Sequence, residues 1–221
     1  MTTDGVTTAA DRRSARRQEI LTATRALFDA SGSRDAQIED IARAVGINRA
    51  IIYRHFTGKE ELFAEALVGY LMELTSSLEA ADDSTRSPAD RLGALSDAMI
   101  DFGVANPAFV DCGLTLLRRP GDELMEEVGR SVMISLGHAM WTSLTHVVDV
   151  LGAGVEAGDF DVPDTVLLSN FLYTQALGII SLARLQISVH ETRLGVPVAD
   201  SVSLDEIKRY ARISAVAAAR G

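Results

Sequence analysis

The amino-acid sequence predicts an all-α protein in two parts: an N-terminal three-helix unit built around a helix-turn-helix, residues 14–62, and a C-terminal helical unit, residues 63–221. Apolar residues recur at three- and four-residue spacing along most of the chain, and no stretch reads as a strand pattern. Cap residues, Gly and Pro punctuate that period at intervals of helix length. With 221 residues, 47% hydrophobic and 24% charged, the chain can bury one small core and one larger one.

Ile38, Ile41, Ala42 and Val45 share one face of a short helix, leaving Glu39, Asp40 and Arg43 to water. Gly46 can take the left-handed conformation that ends it, and Ile47 turns back into the core. Asn48 caps the next helix, which runs to Phe56, because its side-chain oxygen can accept from the free N–H groups of the first turn. Ile52 and Phe56 form the buried stripe there, so Arg49, Ala50, Ile51, Tyr53 and Arg54 point outward. Thr57-Gly58-Lys59-Glu60 reads as a capping box that opens a helix at Lys59 with Leu62, Phe63, Ala66 and Leu67 inward.

That helix continues to about Ala80, and residues 81–86 form a polar loop. Ser87-Pro88 is an N-cap followed by proline in the first helical position, and the helix runs to Ala105. Asn106-Pro107 interrupts it, a short helix reaches about Arg118, and Pro120-Gly121 breaks the chain again. Asp122 to Leu151 is expected as one long helix, Gly152 to Pro163 as a loop, and the last two helices as Asp164–His190 and Ser203–Arg220. The first of these is apolar on nearly every side between Val166 and Ile187, with small residues such as Thr174, Gly178 and Ser181 along it. A helix of that kind is either central or covered by a second subunit, so the last two helices are expected to form a four-helix homodimer interface.

The register of Ile41-Ala42, Gly46-Ile47, Ile52-Tyr53, His55-Phe56, Lys59-Glu60 and Leu62 closely resembles the DNA-binding domain of the TetR family of transcriptional regulators. Residues 17–28 resemble that family's first helix, and the likeness covers about residues 14–67. It implies a DNA-binding regulator, most simply a ligand-responsive repressor on a palindromic double-stranded operator. It implies further that Asn48 to Phe56 is the recognition helix. Arg49, Ala50 and Ile51 would then lie nearest base edges, Tyr53 with Arg54 or His55 near phosphates, and Lys59 at a phosphate beside a helix N-terminus. The chain departs from the pattern at Ser33 and at Ala36-Gln37, where Gln37 can take over the phosphate contact of a missing hydroxyl. Ile51 offers a branched apolar side chain suited to a thymine methyl.

A net charge of −10 opposes DNA binding until it is divided along the chain. Residues 1–62 hold 10 Lys or Arg against 9 Asp or Glu, whereas residues 63–221 hold 11 against 22. The acid belongs to the second part. Arg12, Arg13, Arg16 and Arg17 form a basic arm and helix start that can follow a DNA backbone. Cys112 stands alone among apolar neighbours and reads as a small buried hydrophobe in a reducing compartment.

Met99, Phe102, Phe109, Cys112, Met133, His138, Met140 and Trp141 supply large, adaptable side chains with few polar handles. Together they are the expected lining of a cavity for a hydrophobic or amphipathic effector. His138, His146 and Asp149 lack tight metal-ligand spacing, and no motif calls for a metal or cofactor. Gly-x-Ser-x-Gly, a phosphate-binding glycine loop and His-Glu-x-x-His are absent, so catalysis is not expected. With no signal-peptide or membrane-span pattern, the expectation is a cytoplasmic protein. The alternative is a helical small-molecule-binding or interaction protein with weakened or lost DNA binding, favoured by the departures at Ser33, Ala36 and Gln37.

Overall fold

The computed structural model describes residues 8–31, 37–118 and 120–221. Its elements are α1 (Ala9–Ser31), α2 (Ile38–Val45), α3 (Arg49–Ile52), α4 (Lys59–Ala81), α5 (Pro88–Ala105), α6 (Pro107–Leu117), α7 (Gly121–Glu127), α8 (Arg130–Ala157), α9 (Thr165–Leu185), β1 (Ile187–Glu191), β2 (Pro197–Ser201) and α10 (Leu204–Arg220). The described residues form two compact units, one drawn from 1–67 and 107–136 and one of residues 68–106 with 137–221. The expected division at residues 62 and 63 is therefore not the division by packing, since α6, α7 and the start of α8 pack with the N-terminal helices.

In the first unit, α1 packs on α2 and on α6. Ile20, Ile38, Ile41, Ala42, Ile52, Phe56 and Leu62 form its core, flanked by Leu21, Leu27, Val45 and Ile47. All but Ala42 are large apolar side chains worth about 1.5–3 kcal/mol each when fully buried, so this cluster holds the short α2 and α3 in place where their own length cannot. Phe28 meets Phe63 edge to face at 5.0 Å between ring centres. Gly46 adopts φ 70°, and its N–H with that of Ile47 closes the end of α2 on Arg43 and Ala42.

α1 begins well before Arg17. Thr8 and Asp11 cap it reciprocally, the Thr8 hydroxyl accepting from Asp11 N at 3.1 Å and the Asp11 carboxylate accepting from Thr8 N at 2.8 Å. Arg12, Arg13, Arg16 and Arg17 are therefore helical and not a loose arm, and Thr8-x-x-Asp11 was the missed signal.

In the second unit, α5 packs on α10 and α9, and α9 packs on α10. Helices α5 and α9 approach so closely that a Cβ at Gly103 would fall 2.5 Å from the Ile180 side chain. Ser87 caps α5 as expected, accepting from Asp90 N. Three boundaries differ from expectation. The long helix expected from Asp122 is split, because Val128 is extended at φ −105° and ψ 127° with its side chain buried, and Gly129 follows. α8 then runs through Gly152 to Ala157, because the Phe160 ring lies over Gly154 and Gly158, at φ 76°, ends the helix. Finally α9 stops at Leu185, where Gln186 turns left-handed at φ 54°, and residues expected as helix to His190 form β1 of an antiparallel hairpin with β2. Ile187 and Val189 alternate with Ser188 and His190, which is strand patterning that the helical period had hidden.

Candidate nucleic-acid interface and effector cavity

The surface of the first unit is set by its core. Burial of Ile52 and Phe56 turns the other side of α3 and its following turn outward. Asn48 caps α3 by accepting from Ala50 N at 2.9 Å. Gln37, Asn48, Arg49, Ala50, Tyr53 and Arg54 are exposed, while Ile51, His55 and Lys59 are half-buried. These nine residues lie on the short span from the start of α2 to the first turn of α4, but the helix itself covers only Arg49 to Ile52, and Tyr53 to His55 are a turn. Ser33 and Ala36 lie outside the described residues. Gln37 is the N-cap of α2, closed by a capping box with Asp40.

Arg49 pairs with Glu39 at 3.0 Å, both exposed, which holds the guanidinium near α2 and lowers the Glu39 carboxyl. A pair this wet is worth little and can yield to a base edge. Lys59 Nζ lies 5.1 Å from the Phe63 ring centre, at the N-terminus of the 23-residue α4, where helix dipole and cation both favour an anion.

Arg17, expected only as part of a basic arm, has a structural task. Its guanidinium donates to Glu61 at 2.9 Å, to Glu65 at 3.1 Å and to the His55 carbonyl, and lies 4.1 Å over the Phe56 ring. Glu61 is buried. Burial alone would raise its carboxyl, but the Thr57 hydroxyl and N–H together with Arg17 hold it below its ordinary value. The Thr57 hydroxyl and N–H both donate to Glu61, at 2.5 and 2.7 Å, so Glu61 closes the turn before α4. Beside this anchor, Arg12, Arg13, Arg16, Arg54 and His55 line a shallow cationic cleft. Burial first, then the charges of Arg13, Arg17 and Arg16, push the His55 imidazole below its ordinary value, so it is neutral near pH 7.

The eight residues expected around an effector are not brought together. Phe109 and Cys112 are fully buried in the first unit, where burial pushes the thiol pKa up. Met133 belongs to the same unit and is half-buried. His138 and Trp141 are exposed, Met140 is half-buried and Phe102 is buried in the second unit. Met99 alone of the eight lines a partly enclosed apolar cavity of that unit. That cavity, of about 70 Å³, lies among α4, α5, α8, α9 and α10, with Leu74, Leu92, Met99, Leu144, Tyr173 and Ala176 on its wall. The face that the large side chains of α8 occupy is set by how α8 rolls against α4, where Ser143 donates to the Leu71 carbonyl at 3.1 Å.

A second surface stands on the same unit. α9 buries Ser169, Leu177, Ile180 and Ala183 and exposes Leu167, Phe171, Thr174, Gly178, Leu182 and Leu185 on another side. Leu167 is 67% and Phe171 60% exposed, and α10 exposes Tyr210 and Ile213. By length and composition α9 could also cross a membrane, yet its buried side is packed on α5 and α10.

Residues 20–66 match the family model of bacterial regulatory proteins of the tetR family. The HTH-type transcriptional repressor KstR2 of Mycobacterium tuberculosis is 32% identical over 149 residues, covering 66% of this chain and 69% of that protein. The solved structure of ketosteroid transcriptional regulator KstR2 from that organism shares the fold at TM-score 0.58, with 24% identity over 93% of this chain and 95% of the other. A tetR-family regulatory protein from Rhodococcus RHA1 does so at TM-score 0.64, with 17% identity over 92% and 96%. The helix-turn-helix and the helical second unit thus agree with these comparisons: the chain belongs to the tetR family of bacterial regulatory proteins and is a DNA-binding transcriptional regulator.

Proposed function

We propose that this regulator is a homodimeric repressor that holds a two-fold symmetric operator and releases it when an apolar or amphipathic molecule occupies the cavity of the second unit. The observation that carries the reading is the outward group Asn48, Arg49, Ala50, Tyr53 and Arg54 set on a buried base of Ile52 and Phe56, the kind of surface that base readout needs. KstR2, the relative at 32% identity, is named a repressor and a ketosteroid regulator, which supports both repression and a largely apolar effector. In this reading Arg49, Ala50 and Ile51 meet base edges, and Gln37, Tyr53, Arg54, His55 and Lys59 meet phosphates. The protein works where its DNA is, in the cytoplasm, and no catalytic role is proposed.

The dimer forms through α9 and α10. Large apolar side chains, Leu167, Phe171, Leu182 and Leu185, flank a centre of Thr174, Gly178 and Ser181 on the exposed side of α9, the arrangement that lets two helices cross closely. A Cβ at Gly178 would meet nothing within this subunit, and a neighbour outside it would give a reason for a residue that costs ~1 kcal/mol of helix stability relative to Ala.

Control runs through α4, which carries Leu62 in the core of the first unit and Leu74 and Leu78 on the cavity wall of the second. A cavity of about 70 Å³ must open to admit an effector, and the displaced wall includes α4. An effector that favours the opened arrangement weakens DNA binding, and linkage requires DNA to weaken effector binding equally, by ~1–3 kcal/mol. A metabolite screen by thermal shift followed by operator titration tests this: stabilising compounds are expected to release DNA, and stabilisers that leave operator affinity untouched would overturn the coupled cavity.

A further inference from the structure

The cavity wall of the second unit carries no Asp, Glu, Lys, Arg or His. An ion placed there would lose its hydration without a counter-charge, at a cost far above that of any neutral group of the same size. Most of the wall's polar groups are already engaged by the protein. Ser169 donates to the Val166 carbonyl at 2.8 Å, Ser143 donates to the Leu71 carbonyl at 3.1 Å, and the Gln175 amide donates to Ser214 at 3.0 Å.

Tyr173 differs. Its hydroxyl is enclosed and has no hydrogen-bond partner among the described residues, and it is the one such side-chain group in this unit. Burial pushes its pKa up, so the group remains an O–H donor at every physiological pH. An unpaired buried hydroxyl is costly, and evolution usually removes the cost by Phe or supplies a partner.

Resting on the reading of this cavity as the effector site, we infer that it selects uncharged, mainly apolar molecules carrying a carbonyl that accepts a hydrogen bond from Tyr173. A carbonyl needs one donor, and Tyr173 supplies one, so a single bond satisfies both groups. A carboxylate would bring a charge that no group on the wall can pair. Tyr173 is thus the specificity-determining group, and the apolar residues that make up most of the wall supply affinity without direction.

The test uses the 221-residue protein with two neutral probes of nearly equal shape, cyclohexanone and its isostere methylenecyclohexane, and one charged probe on the same ring, cyclohexanecarboxylate. Binding is read from the ¹³C-methyl signal of Met99, which lines the same cavity. Replacing Tyr173 by Phe should weaken cyclohexanone about three- to tenfold, the loss of one net hydrogen bond, while methylenecyclohexane binds both proteins alike. The carboxylate should bind at least about a hundredfold more weakly than the ketone. If ketone and alkene affinities change by the same factor in Tyr173→Phe, or the carboxylate binds as well as the ketone, the inference is overturned and the cavity stands. If no neutral probe moves Met99 in either protein, the effector cavity itself falls.

Discussion

Removing one oxygen from Tyr173 should make the protein more stable. In Tyr173→Phe the ring, its rotamer and its packing are retained, and only a hydroxyl that is enclosed without a protein partner is lost. Leaving such a group unpaired costs about 1–3 kcal/mol, from which a few tenths are returned to dispersion contacts that the oxygen makes with its neighbours. The net expectation is a gain of about 1 kcal/mol per subunit. For a chain of this size that corresponds to a rise of roughly 2–4 °C in the unfolding midpoint at fixed protein concentration. Urea unfolding followed by far-ultraviolet circular dichroism should show a higher midpoint with an unchanged slope. A loss of 1 kcal/mol or more would show that the hydroxyl has a partner in solution, and the same result would remove the free donor on which ligand selection depends.

Gly178→Leu should leave the subunit folded, because its Cβ meets no atom of the same chain, yet raise the dimer dissociation constant at least about thirtyfold, from ~1–3 kcal/mol of overpacking in each copy. Sedimentation equilibrium reads this directly, and an unaltered dimer would move the interface off α9. Arg17→Met should cost about 2 kcal/mol, less than for a fully enclosed pair because Arg17 is 29% exposed, and adding Glu61→Gln should recover part of it. Lys59→Ala should weaken all DNA sequences alike and reduce the salt slope by about one per subunit, whereas Arg49→Ala or Ile51→Ala should alter base preference, as read by anisotropy titrations at several salt concentrations. Free His55 is held neutral by burial and arginine charge, and a phosphate in the adjoining cleft cancels that repulsion and raises its pKa. The complex then holds more protons than the free protein, so operator affinity should rise as pH falls from 7.5 to 5.5, and His55→Gln should flatten the dependence.

The helix-turn-helix was legible because its signals are local. Gly46, Asn48 and the apolar positions from Ile38 to Phe56 each act within one or two turns of chain, and the same few residues decide both the fold and the outward face. The exposed side of α9 was legible in the same way, from apolar residues too many for one face. The cavity was not. Its wall joins residues from five helices, and whether His138 or Leu144 faces inward depends on a rotation of α8 that no single-helix pattern encodes. The hairpin escaped because Ile187 and Val189 continue the apolar run of α9, and only the left-handed Gln186 separates the two. Arg17 was read by charge alone, since its partners Glu61 and Glu65 lie more than forty residues away in sequence.

Selection of bound duplexes from a random DNA pool by the purified protein tests the central claim most directly. A dimer presenting two copies of the Asn48–Arg54 surface should enrich a two-fold symmetric site whose half-sites lie about one helical turn, ~34 Å, or a multiple of it apart. Enrichment should collapse for the variant carrying Arg49→Ala together with Lys59→Ala. Recovery of an asymmetric single site, or of no sequence beyond the starting pool, would contradict a dimeric operator-reading regulator.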